Sequence, residues 1–390
     1  MTGGRLPLLI VGASGRAAAA SARRAGFEPY VIDLFADVDT RRLAPTLRCP
    51  PDRYPGAIPG LADEHPPGPF IYTGGLENHP DCVGALTRRR RLFGVAPDVL
   101  RPIREPHWLA TALSGRFKSL PETIKPTGCH PPDPGRIWLR KPDRGAGGRG
   151  VRFARPEDWA PADQPCDYHL QEFIPGDSYS ALFLSPRAGT SRCFAVLRQL
   201  VGEPWLHAPP FGYSGNIGPL PIIDTFRPQL ERLAASVGAS QGLIGVWGID
   251  FILNGNDVYP VDLNPRYTAS VELYEYGRDV SLLARHCEVF GETSGGNHVH
   301  GSQSNRDLVI GKAVYYAPHA IVFPASGPWD DSISHCTEIW NRPEFADIPD
   351  PGTVTETGHP VLSILTDGRT EDDCLERLKS RAAALDQFFG

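Results

Sequence analysis

The stretch LRKPDRGAGGRGVRF, residues 139–153, sets a lysine at the end of a strand-like run and follows it with four glycines among arginines. Gly145, Gly147, Gly148 and Gly150 would let backbone N–H groups approach phosphate oxygens with no Cβ in the way. Lys141 would supply a fixed positive charge behind them. A P-loop has the opposite order, its lysine following the glycines. Taken alone, such a stretch is an ordinary basic hairpin more often than a phosphate-binding one, and the rest of the chain decides between them.

A second group stands more than a hundred residues further on. GVWGIDFILNGNDVYPVDLNPR, residues 245–266, reads as two apolar strands around the turn Asn254-Gly255-Asn256-Asp257. If 246–253 and 258–264 pair, Asp250 and Asp262 come from facing strands. Asp262 and Asn264, two apart, share a side of the sheet. Two carboxylates and an amide oxygen are hard ligands of the kind magnesium takes together with phosphate oxygens and water. Without a cation, two carboxylates ~4 Å apart repel by ~4 kcal/mol at an effective dielectric near 20. Two unrelated surface aspartates on a hairpin are the plain alternative. Between the two groups, LQEFIPGDS (170–178) is a strand running into Pro-Gly, able to show backbone N–H and C=O groups to an adenine edge. Phe173 and Ile174 would flank that edge, and Asp177 could accept ribose hydroxyls.

In this order, Lys–Gly loop, Q-E-F-I-x-G hinge and D…D-x-N-P-R, the motifs resemble the ATP-grasp superfamily, over residues ~100–290. The resemblance implies a fold of mixed class, α/β and α+β. It assigns Lys141 to the nucleotide phosphates, Gly145, Gly147, Gly148 and Gly150 to a flap over them, and Glu172, Phe173 and Ile174 to the adenine hinge. Asp177 is assigned to the ribose, and Asp250, Asp262 and Asn264 to magnesium. Arg266 would stabilise a charged intermediate, as in the biotin-carboxylase branch. Two departures stand out. Where most members carry an earlier lysine this chain has IREP, so Arg104 stands in as the phosphate cation, with Lys118 as the alternative. Asp262 replaces the usual glutamate with a shorter arm of the same charge. The implied chemistry is ATP-dependent: a small-molecule carboxylate becomes an acylphosphate and an amine displaces the phosphate, with ATP and Mg2+ as cofactors. A nucleotide-binding sensor without ligase activity and a carboxyphosphate-forming enzyme remain alternatives.

Ahead of these motifs, LPLLIVGASGRAAAASARRAGFEPYVIDLFAD (6–37) reads as strand, glycine turn, helix and strand, with Asp33 where a nucleotide-binding fold could hold a ribose. Gly12, Gly15 and Ala18 match the dinucleotide fingerprint only loosely, and a generic tight turn explains them. PFIYTGGLENHPDCVGAL (69–86) adds a strand, a Gly-Gly turn and a helix from about His79. Residues 1–100 thus form a parallel-sheet layer like the domain that precedes ATP-grasp folds. The expected divisions continue with a subdomain carrying the flap (101–165), one carrying the metal site (166–290), a polar linker (291–305) and a C-terminal α+β unit (306–390). His298 and His300 in the linker are read as loop residues. FGYSGNIGP (211–219) is read as an active-site loop touching the second substrate, with a plain connecting loop as the rival reading. In NPRYTASVELYE (264–275), Arg266, Tyr267, Ser270 and Glu272 stand where an acceptor would bind, and a helix is expected near 276–290. The segment 346–368 resembles the closing domain of ATP-grasp proteins of the tyramine–glutamate ligase type, which points to a glutamate-like substrate.

The totals fit this reading. The chain has 390 residues, 41% of them hydrophobic, and a formal net charge of −6, which argues against broad nucleic-acid or membrane-surface binding. TRRRRLFG (87–94) is read as a solvated helix face. Eight cysteines are scattered with no CxxC pair, which fits a reducing cytoplasm. No apolar run approaches the ~20 residues of a membrane span. A homo-oligomer is allowed by the sequence and not required by it.

Overall fold

The computed structural model describes residues 5–126, 133, 135–159, 166–221, 223–238, 241–292 and 308–390. His298 and His300, and nearly all of the expected linker, lie outside them.

The apolar run near the start forms β1 (Pro7–Val11), which pairs in parallel with β2 (Glu28–Asp33) and β4 (Phe70–Tyr72); β3 (Thr46–Arg48) extends the sheet beside β2. The helix Arg16–Arg24 buries Ala18, Ala19 and Ala22 against this sheet, small side chains that allow close approach. Asp33 is buried and engaged within the fold. Its carboxylate accepts the backbone N–H groups of Gly15 (2.9 Å) and Ala36 (2.7 Å), so it fastens the two turns at the sheet's end. The basic run after the helix Pro80–Thr87 is a turn rather than a helix face, and Arg90 there donates to the carbonyls of Ala62 and His65.

A second four-stranded sheet has the order β5 (Thr123–Ile124), β8 (Tyr168–Glu172), β6 (Trp138–Pro142), β7 (Arg152–Phe153), antiparallel throughout. β8 lies beyond residue 165, so the flap sheet crosses the boundary expected from sequence. Trp138, Tyr168 and Leu170 form its small core.

The largest sheet has eight strands. β9 (Asp177–Ser185), β10 (Arg192–Val201), β11 (Tyr213–Gly218), β12 (Gly245–Asn254) and β13 (Asp257–Asn264) make up its first part. β14 (Val309–Tyr316) pairs with β11; β15 (Ile321–Val322) and β17 (Val354–Thr355) form a separate ribbon; β16 (Phe345–Ala346) and β18 (Pro360–Gly368) complete the order β13-β12-β9-β10-β11-β14-β18-β16. Within residues 308–390, β14, β18 and β16 extend this sheet. Phe183 and Trp247, cross-strand partners on β9 and β12, stack 4.4 Å apart with neither exposed. Burying such a phenylalanine contributes about 2–3 kcal/mol. FGYSGNIGP supplies β11, an interior strand and not a loop. The expected helix at 276–290 is two helices, Ala269–Arg278 and Leu282–Val289. The described cysteines are unpaired. No helix among the described residues is long and apolar enough to cross a membrane.

Candidate active site

Strand alternation on β6 turns Leu139 and Lys141 into a cleft of about 700 Å³ between the flap sheet and the large sheet. Lys141 Nζ donates to Gln171 Oε1 on β8 (3.0 Å) and to the Val261 carbonyl on β13 (3.2 Å), so one ammonium bridges both walls. Burial lowers its pKa, while Asp262 and Asp250 act in the opposite direction.

The glycine turn follows directly. Gly145, Gly147 and Gly148 line the cleft, and Gly150 only shapes the turn, at a φ of +78°. Gly148 is the position where glycine is obligatory. Its φ is +73°, and a Cβ there would sit 1.8 Å from the Phe211 carbonyl oxygen. The turn is held from two sides: Tyr213 N–H donates to the Gly147 carbonyl (3.0 Å), and Asn78 Nδ2 to the carbonyls of Arg144 and Gly145 (3.3 Å each).

Opposite the turn, Asp250 and Asp262 are direct cross-strand partners on β12 and β13. Asn264 Nδ2 donates to Asp250 Oδ2 (3.0 Å). Arg266 Nη2 donates to Asn264 Oδ1 (2.9 Å), and Arg266 Nε to Glu77 Oε1 (2.9 Å). Arg104 donates to the Leu263 carbonyl (2.9 Å) and stands 3.5 Å from Asp262 Oδ1. Burial and then the neighbouring Asp262 push Asp250 up to about 7. A carboxylate pair so disposed fits a hard divalent cation. Asn264 is the less ready ligand, because both ends of its amide are engaged. Among the described residues no cluster of three or more His, Cys, Asp or Glu side chains suits a metal. Lys141, the glycine turn, Arg104, Asp250, Asp262, Asn264 and Arg266 all line this one cleft.

The hinge residues Glu172, Phe173 and Ile174 line the same cleft, but less openly than the sequence suggests. The N–H groups of Glu172 and Phe173 are taken by the carbonyls of Glu122 and Ile137 (2.8 Å each), and Arg136 holds the Glu172 carboxylate (3.0 Å). What remains for a ligand there is chiefly apolar: Phe173 meets Phe153 edge-on, and Phe153 meets Phe211 in the same way. Asp177 is exposed and shares a face of β9 with buried Tyr179, whereas Ser178 and Ser180 on the other face line the cleft. Period-two alternation thus turns Asp177 away from the cleft. Lys118 is exposed and does not line the cleft.

Of the acceptor candidates, Arg266 and Ser270 line the cleft and Tyr267 and Glu272 do not. Glu272 is buried in a bidentate pair with Arg16, at 2.6 and 2.8 Å. The 211–219 segment does reach the site. Tyr213 OH donates to Asn216 Oδ1, and Asn216 Nδ2 to Ser180 Oγ (3.1 Å), which also contacts Ser270 Oγ (3.1 Å). Glu77 and Asn78 were not foreseen. They come from the turn after β4, and only the Gly74-Gly75 pair before them marks that turn in the sequence.

Residues 109–270 match the ATP-grasp domain family. The chain carries an ATP-grasp domain. The match takes in Lys141, the glycine turn, the hinge and the acids. An uncharacterized protein of Methanocaldococcus jannaschii is 23% identical over 195 residues, half of this chain; the matched part spans 41% of that relative's length. Solved structures share the ATP-grasp fold over nearly the whole chain. The L-amino acid ligase of Bacillus licheniformis has a TM-score of 0.65 at 14% identity, covering 97% of this chain and 98% of its own. N5-carboxyaminoimidazole ribonucleotide synthetase of Thermus thermophilus has a TM-score of 0.65 at 16% identity, covering 95% and 96%. The biotin carboxylase domain of Hydrogenobacter thermophilus 2-oxoglutarate carboxylase, in complex with MgADP, ADP and bicarbonate, has a TM-score of 0.63 at 13% identity, covering 97% and 89%.

Proposed function

We propose that the protein is an ATP- and magnesium-dependent ligase that activates a small-molecule carboxylate as an acylphosphate and joins it to an amine, forming a C–N bond. The observation that carries this reading is the meeting of Lys141, the glycine turn and the Asp250–Asp262 pair across one cleft. Lys141 and Arg104 hold the triphosphate. Phe153, Phe173 and Phe211 offer ring edges and faces to the base. The glycine turn closes over the phosphates and keeps out water that would hydrolyse the acylphosphate. Asp250 and Asp262, with Asn264 beside them, would hold magnesium, which neutralises charge on the transferring phosphoryl group. Arg266, its guanidinium fixed by Glu77 and Asn264, faces the activated carboxyl. A glutamate-like acid and a cytoplasmic setting belong to this reading. The named activity of the B. licheniformis neighbour supports ligation, and the MgADP of the H. thermophilus neighbour supports the nucleotide and the metal.

The test is phosphate release from MgATP across a panel of acid–amine pairs. Release that needs both partners is expected. Bicarbonate-dependent ADP formation with no need for an amine would replace this reading with carboxyphosphate chemistry, which Arg266 and the bicarbonate-bound neighbour favour. Nucleotide binding without turnover on any pair would leave a sensor.

A further inference from the structure

Glu77 is 2% exposed, yet it forms part of the cleft wall. One carboxylate oxygen, Oε1, accepts from Arg266 Nε at 2.9 Å. The other, Oε2, is buried and has no hydrogen-bond partner. An ion-paired carboxylate with one oxygen left bare costs free energy that a donor arriving from the cleft would recover. Arg266 does not fill it: its Nε serves Oε1, its Nη2 Asn264 Oδ1 and its Nη1 the Tyr267 carbonyl, and none of the three bonds Oε2. The turn that carries Glu77 runs close past Arg266: a Cβ on Gly74 would meet the guanidinium at 3.4 Å, ordinary van der Waals contact, and Gly75 has a φ of +91°. Beside it, the Tyr54 hydroxyl is likewise buried without a partner. A Cβ on Gly75 would meet that hydroxyl at 2.9 Å, which sets the phenol against the turn that carries Glu77.

We infer that Glu77 Oε2 is the receptor for a primary ammonium group of the second substrate. The assignment rests on the ligase reading and names the chemical class of that substrate. A primary ammonium brings three donors and a positive charge to match the carboxylate at Oε2. A hydroxyl brings one donor and no charge. The contact series Glu77, Arg266, Asn264, Asp250 then sets the amine a guanidinium and an amide away from the acids, beside the place where the carboxyl is activated.

Ligand-observed NMR can test this in the presence of magnesium and a non-hydrolysable ATP analogue. The panel runs from methylammonium to the L-amino acids, each paired with its hydroxyl isostere. The wild-type protein should bind at least one amine tenfold or more tightly than its isostere, and Glu77→Gln should bind the two alike. A purely structural role for Glu77 would weaken both ligands together and leave the preference intact, which overturns the assignment. So does a wild-type protein that prefers no amine across the panel. Should Glu77→Gln fail to fold, Glu77→Asp carries the test: its shorter arm should cut the preference at least threefold, and an unchanged preference counts against Glu77. Phosphate release from MgATP over the same panel with candidate acids separates this idea from the reading beneath it. Ammonium preference without amine-stimulated release sinks the ligase reading and keeps the receptor, whereas amine-stimulated release that is unaltered in Glu77→Gln does the reverse.

Discussion

Lys141 is held in place by Gln171 Oε1 and the Val261 carbonyl, neither of which carries a charge. Its charge is therefore available to a phosphate. Lys141→Met keeps the length of the side chain and removes that charge, so the ATP-analogue Kd should rise by about 10- to 100-fold, the value of one charge-assisted hydrogen bond. The thermal midpoint should hold, because burial already disfavours the ammonium. Calorimetric titration and a melting curve check both halves. Asp250→Asn removes one of two facing carboxylates and should lower magnesium-dependent turnover at least a hundredfold, read as phosphate release against magnesium concentration. Near-normal rates would remove Asp250 from the metal. These residues were legible because each sits in a short run whose own periodicity orients it. Asp177 was misread for the complementary reason: a residue after Pro-Gly takes its face from the strand that follows, and β9 turns it outward. Glu77 and Asn78 were invisible, since nothing in GGLEN says that its turn packs against Arg266.

At the scale of elements, the glycine turn and the interior helix near β12 make separable predictions. Gly148 lies against the Phe211 carbonyl, so Gly148→Ala must shift either the turn or the 211–213 segment. The strained φ alone costs about 1 kcal/mol. The expected result is a stability loss of about 1–2 kcal/mol in urea and a weaker ATP-analogue affinity, whereas Gly150→Ala should affect stability more than binding, because Gly150 does not line the cleft. In the helix Leu282–Val289, His286 accepts the Val246 N–H at Nδ1 (2.8 Å) and faces the Phe93 carbonyl through Nε2 (3.0 Å), the neutral tautomer's pattern. Burial lowers its pKa to about 4. The unfolded chain takes up that proton near pH 6.5, so stability falls as the pH drops from 6.5 towards 4, by about 3 kcal/mol from this residue. Urea midpoints at a series of pH values should show that slope in the wild type and a flatter one in His286→Gln. Strand and helix positions were largely readable from apolar runs and turn residues. FGYSGNIGP was not, because three glycines in nine residues look like a loop. Gly215 and Gly218 are there because neighbours press on the strand: a Cβ on Gly215 would meet the Lys312 carbonyl oxygen at 2.0 Å, and one on Gly218 the Leu197 side chain at 2.7 Å.

Across the whole molecule, the parts are tied by buried charge. Arg16, from the N-terminal layer, holds Glu272 of the helix Ala269–Arg278 and contacts Asp347 just after β16 at 2.9 Å; Lys312 of β14 reaches Glu272 (3.3 Å) and Asp347 (3.1 Å). Burial alone would raise the Glu272 pKa, but Arg16 and then Lys312 bring it down to about 2. The sequence suggested separate units because charged residues hundreds of positions apart give no local sign of pairing, and the edge at which β14 joins a sheet is equally non-local. Arg16→Met should cost about 3–5 kcal/mol, since it leaves the buried Glu272 and the half-buried Asp347 with Lys312 as their remaining close cation. Removing the stranded charge as well, in Arg16→Met with Glu272→Gln, should recover at least about 1 kcal/mol of that loss, because the penalty belongs to the unpaired carboxylate more than to the missing contact. Equal urea stabilities for the single and double variants would mean that Arg16 acts by packing alone. A single cooperative transition in the wild type that splits into two in Arg16→Met would show that this cluster is what makes the N-terminal layer and the large sheet unfold together.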